Sequence, residues 1–107
     1  MSQVIVKELL QELKIGLKTL YGNRLQGVYL FGSYARGDQD AESDLDILII
    51  LSHYTLYSTE IKRTGELISL LSLKYGISIS RKFINQSQWI DGDSTLLKNV
   101  RAEAKAA

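Results

Sequence analysis

Two carboxylates, Asp44 and Asp46, stand two residues apart at the head of an apolar run, Leu45, Ile47, Leu48, Ile49, Ile50 and Leu51. Strand side chains alternate faces, so both carboxylates point the same way. Like charges so placed repel each other unless a divalent cation lies between them, and oxygen ligands of this kind suit Mg²⁺. Ten residues separate Asp44 from a Gly32-Ser33 pair, itself preceded by a strand-like run, Val28, Tyr29, Leu30 and Phe31. A glycine-containing turn offers backbone N–H groups and a hydroxyl to a phosphate. Metal and phosphate cradle together read as nucleotide chemistry. Asp44 and Asp46 are the candidate catalytic and metal-binding residues. Gly32 and Ser33 are the candidate nucleotide-binding residues. Arg36 joins them as a cation that either reaches a phosphate or stays a solvated surface arginine.

These residues need elements to hold them. Val6, Leu9, Leu10, Leu13, Leu17 and Leu20 recur at helical spacing, which predicts a helix over residues 3–20 with Ser2 as its cap. Strand one is expected over 27–31, a helical turn over 34–36 with its N-terminus toward the phosphates, a polar loop over 38–43 and strand two over 45–51. A second helix fits 58–74, with Ile61, Gly65, Ile68 and Leu71 on one stripe and Gly76 ending it. Strand three follows near 77–84. Asn85 or Ser87 would start a short turn carrying Trp89, which would close the small core. Asp93 or Ser94 would cap a last helix with Leu96, Leu97 and Val100 inward. The order is αββαβα, an α+β fold with helices packed on a small mixed sheet. The loop between the first two strands is too short for a parallel crossover, so they should pair antiparallel.

A chain of 107 residues, 45% hydrophobic, supports one domain over 1–107 with a small core. A net charge of +1 gives no electrostatic case for direct nucleic-acid binding. The absence of cysteine excludes disulfides and thiolate metal sites and fits a reducing cytoplasm. The N-terminal stretch lacks the apolar run of a signal peptide, and no segment is long enough to span a membrane. His53, the sole histidine, is read as an ordinary loop residue rather than a zinc ligand. Tyr34 lies in the Gly-Ser loop, near any bound base or partner.

The Gly-Ser pair, ten residues and Asp-x-Asp closely resemble the signature of the DNA polymerase β-like nucleotidyltransferase superfamily. Gly37 matches a frequent second glycine and Ser43 the serine before the first Asp. The short form resembles its minimal nucleotidyltransferase (MNT) domain. The resemblance implies Mg²⁺-dependent transfer of AMP from ATP. Domains of this kind commonly serve as antitoxins that modify a tyrosine of a HEPN-domain ribonuclease toxin, so a HEPN toxin is the implied partner. Two other readings stay open: a non-catalytic antitoxin with a vestigial site, and an enzyme acting on a small molecule such as an aminoglycoside. The sequence departs from the family in one place. Members usually carry a third carboxylate on a later strand, and here that run reads ISISRKFI, with Ser78 or Ser80 in the region.

Overall fold

A computed structural model describes residues 2–92 and 94–107. Helix α1 (Gln3–Tyr21) begins where the Ser2 hydroxyl accepts the Ile5 N–H at 3.2 Å. Its leucine stripe packs inward, with Leu9, Leu13 and Leu17 fully buried. Each contributes roughly 1.5–3 kcal/mol through removal from water. The last position of the stripe is Tyr21, not Leu20, which is largely exposed. Tyr21 is drawn in because its hydroxyl donates to the buried Glu60 at 2.7 Å.

A short turn, Gly22–Arg24, leads into β1 (Leu25–Phe31). A single helical turn, α2 (Ser33–Arg36), precedes β2 (Leu45–Leu51). Helix α3 (Tyr57–Tyr75) crosses to β3 (Ile79–Asn85), followed by α4 (Gln86–Asp91), α5 (Thr95–Glu103) and a two-residue strand β4 (Lys105–Ala106). The sheet runs β3-β2-β1-β4. β1 pairs antiparallel with β2 and with β4, whereas β2 and β3 are parallel, so the sheet is mixed as expected. The short turn expected to carry Trp89 is α4, which starts at the Asn85 cap; the strand β4 is an element that was not expected.

β2 carries both cores. Leu45, Ile47, Ile49 and Leu51 join Val28, Leu30 and Phe83 against α1 and α3. Leu48 and Ile50 face the other way, toward Tyr29, Trp89 and Val100. Such a doubly buried strand reads as a continuous apolar run rather than an alternating one. Trp89 does close this smaller core, with its ring centroid 4.9 Å from that of Tyr29.

The buried stripe of α3 is Glu60, Thr64, Ile68 and Leu71, so Glu60 and Thr64 take the places expected for Ile61 and Gly65. Polar partners explain the rotation. Glu60 accepts from Tyr21 and from Arg63 Nε (3.1 Å), and Thr64 Oγ1 accepts from Arg81 Nε on β3 at 2.7 Å. A buried carboxylate is tolerated only when its lone pairs are so engaged. Ser94 caps α5, its hydroxyl accepting the Leu97 N–H at 3.2 Å. The expectations for Asp93 and for the Leu96 side chain lie outside the described residues. Among the described residues no helix is long and apolar enough to cross a membrane.

Candidate active site

The antiparallel ladder sets Phe31, the last residue of β1, opposite Asp46 on β2. The chain then turns through Gly32, with φ 73° and ψ −155°. Only glycine enters this region without strain. A second reason is contact: a Cβ at Gly32 would stand 2.2 Å from Asp46 Oδ2. The expected metal ligand and the expected phosphate turn are therefore packed directly against each other. The Gly32 carbonyl accepts from Ala35 and Arg36 N–H, each at 3.1 Å, which closes α2. In this first turn the N–H groups of Ser33 and Tyr34 have no intrahelical partner. Gly37, in the left-handed region at φ 80°, ends the turn.

The two carboxylates differ in surroundings. Asp44, just ahead of β2, is exposed, and Asp46 is half-buried. Burial, then the Asp44 charge, push the Asp46 carboxyl above its usual range, while Lys82 and Arg36 pull it back. This is the frustration anticipated for an Asp-x-Asp pair, and the oxygen donor set fits a Mg²⁺ carried by a triphosphate. Between the turn and the pair, Ser43 Oγ accepts the Asp40 N–H at 3.0 Å and the Asp40 carboxylate accepts the Glu42 N–H at 2.8 Å. Ser43 thus fixes the loop that delivers Asp44.

Strand β3 brings no third acid. Ser80 lies opposite Asp46 in the parallel register, and Lys82 follows on the same face opposite Leu48. Ser78 precedes the strand, and its carbonyl accepts the Leu45 N–H at 2.9 Å. Among the described residues no three His, Asp or Glu side chains cluster as a metal site.

Arg36 does not stand free. Its Nε donates to Asp38 at 3.1 Å and its Nη1 to Glu103 Oε2 at 3.2 Å. Glu103 Oε1 also accepts the Gly32 N–H at 3.1 Å. Glu103 was not singled out by sequence reasoning, since 71 residues separate it from Gly32 and no motif spacing links them. Tyr34 packs beside the main core, and His53 is exposed on its loop. A cavity of about 180 Å³, walled in part by Phe31, Leu48, Lys82 and Val100, opens on the Asp46 face.

Residues 10–102 match the family described as nucleotidyltransferase domain, and the chain belongs to it. A Methanocaldococcus jannaschii protein named as a protein adenylyltransferase is 42% identical over 73 residues, covering 68% of this chain and 73% of that protein. A Staphylococcus aureus spectinomycin 9-adenylyltransferase is 38% identical over 66 residues, covering 62% of this chain and a quarter (25%) of that enzyme. Among solved structures, a toxin–antitoxin with AMP-PNP aligns with TM-score 0.57 at 21% identity, covering 99% of this chain and 72% of the other. The complex of a tri-AMPylated Shewanella oneidensis HEPN toxin with its MNT antitoxin aligns with TM-score 0.53 at 20% identity, covering 99% and 71%. These two likenesses establish the fold.

Two outcomes are expected, the first resting on the sequence reading of Ser33 as a phosphate ligand. Ser33→Ala should weaken triphosphate binding by roughly 1.5–3 kcal/mol, the worth of one hydrogen bond to a charged group. Calorimetric titration with ATP and Mg²⁺ checks this. Asp46→Asn should raise the melting temperature at neutral pH. The folded carboxyl titrates above its unfolded range, so its ionisation costs stability as pH rises through the folded value. The gain should vanish in acid, where the wild-type carboxyl is protonated in both states. Melting curves at the two extremes of pH decide it.

Proposed function

We propose that this chain, taken as one minimal nucleotidyltransferase domain over 1–107, transfers AMP from ATP to a tyrosine hydroxyl of a cognate HEPN-type toxin in the cytoplasm. The observation that supports the reading is the packing of the Gly32 turn against Asp46, the candidate phosphate turn against a candidate metal ligand. The identity with a protein adenylyltransferase supports a protein acceptor.

In this reading the Ser33 hydroxyl and the N–H groups of Ser33 and Tyr34 hold the triphosphate. Asp44 and Asp46 would hold Mg²⁺, which supplies charge neutralisation on the phosphates. The acceptor oxygen forms a bond to the α-phosphorus, the bond from that phosphorus to the bridging oxygen breaks, and pyrophosphate leaves with the electron pair. The acceptor proton is released to solvent. A phenol, with pKa about 10, gives up its proton far more readily than a sugar alcohol. A site with two carboxylates rather than three therefore suits a tyrosine better than an aminoglycoside. The chain also matches only 25% of the spectinomycin enzyme's length, leaving most of that enzyme without a counterpart.

The acid-free face of β3, with Lys82 beside Asp46, favours a second reading: an antitoxin that acts by binding alone. One experiment separates them. The purified partner toxin, incubated with this protein, ATP and Mg²⁺, should gain mass in whole AMP units. A toxin that is neutralised without any mass gain would leave only the binding reading.

A further inference from the structure

Strand β4 runs along the free edge of β1. Leu30 pairs with Lys105 and Tyr29 with Ala106, and the Ala107 N–H donates to the Val28 carbonyl at 2.9 Å. This docking carries the end of α5 past the end of β1. Glu103, the last residue of α5, lands there against the Gly-Ser turn. Its side chain is 28% exposed. One carboxylate then serves two donors, the Gly32 N–H at 3.1 Å and the Arg36 guanidinium at 3.2 Å.

The Arg36–Glu103 ion pair is not explained by stability alone. Arg36 is about half exposed, and exposed ion pairs contribute little. The carboxylate also adds to the negative charge around Asp46 and so opposes its ionisation. What Glu103 does provide is a fixed acceptor for the N–H of the residue whose Cα abuts Asp46. With that N–H held, the Ser33 and Tyr34 N–H groups keep one orientation. With Arg36 held between Glu103 and Asp38, its guanidinium forms no ion pair with Asp44 or Asp46 among the described residues, although its charge still acts on the Asp46 carboxyl.

We propose that Glu103 is a positioning residue of the nucleotide site: by anchoring the Gly32 N–H and Arg36 from the C-terminal helix, it sets the turn that receives the triphosphate. This rests on the nucleotide-binding reading above. Glu103 does not touch the triphosphate; it acts through Gly32 and Arg36.

The test pairs two variants with two measurements. Glu103→Gln keeps an oxygen for the Gly32 N–H but loses the charge that holds Arg36. Glu103→Ala loses both. In the free protein, exchange of the Gly32 amide hydrogen should be slow in the wild type and in Glu103→Gln, and fast in Glu103→Ala. Calorimetry with ATP and Mg²⁺ should show Glu103→Ala weaker by about tenfold or more, with Glu103→Gln recovering most of the loss. A fold defect would appear in far-ultraviolet circular dichroism, and Glu103→Gln then carries the comparison. Unchanged exchange and affinity in Glu103→Ala would overturn the proposal. Tighter ATP binding in Glu103→Ala would also overturn it, showing that the carboxylate occupies a phosphate position. A wild type that binds no ATP would instead refute the nucleotide reading itself.

Discussion

Gly32→Val is expected to abolish measurable ATP binding while leaving a folded but less stable protein. Two costs combine. A β-branched residue forced to φ 73° carries about 1–3 kcal/mol of backbone strain. The new Cβ would also fall 2.2 Å from Asp46 Oδ2, so either the turn or the carboxylate must move. Displacing either one separates the proposed phosphate donors from the proposed metal-binding oxygens. Gly37→Ala is the control. Gly37 has a similar φ, 80°, but a Cβ there would meet no atom within 4 Å among the described residues. This variant should lower the melting temperature and leave ATP affinity near wild type. Equal loss of binding in both variants would mean that backbone strain in the loop, not the Gly32–Asp46 contact, is what matters.

Asp44→Asn is expected to stop AMP transfer completely while the complex with the toxin still forms. Asp44 is exposed and makes no structural hydrogen bond among the described residues, so the fold should not depend on it. Its removal also relieves the repulsion that pushes up the Asp46 carboxyl. The variant should therefore be no less stable than the wild type. Mass spectrometry of the toxin and size-exclusion chromatography of the mixture give the two readouts. Transfer at wild-type rate in Asp44→Asn would remove this carboxylate from the chemistry. Equal neutralisation by variant and wild type, without mass gain in either, would assign the protein to the binding reading.

The strand–turn–strand unit was legible because its determinants are local. Alternation around Asp44 and Asp46, a glycine where the chain must turn, and apolar runs on either side all lie within about two dozen residues. The helix faces were legible only where apolar residues decide them. In α3 the expected Ile68 and Leu71 are buried, but in its first half Glu60 and Thr64 are the buried residues instead of Ile61 and Gly65, because they are held inward by Tyr21 and Arg81, far away in sequence. Strand β4 carried no signal. Lysine and alanine are poor strand formers, and the pairing exists because β1 leaves an edge open. Glu103 was hidden for the same reason, since its place depends on that docking. The acid-free character of β3 was plain in the sequence, whereas the presence of Lys82 on the Asp46 face needed the register.

The packing of the smaller core gives the molecule a native optical reporter. Trp89 is the only tryptophan in the chain. Its ring lies against Tyr29, and the Arg101 guanidinium sits over it, 5.9 Å from the ring centre. Arg101 also donates to the Trp89 and Gly92 carbonyls, each at 2.6 Å, tying α4 to α5 two residues before Glu103. Indole emission depends on solvent access and on nearby charge, so any loosening of this clasp should shift the spectrum to the red. Fluorescence of the unlabelled protein therefore follows the docking of the very helix that reaches the Gly-Ser turn, without an attached dye.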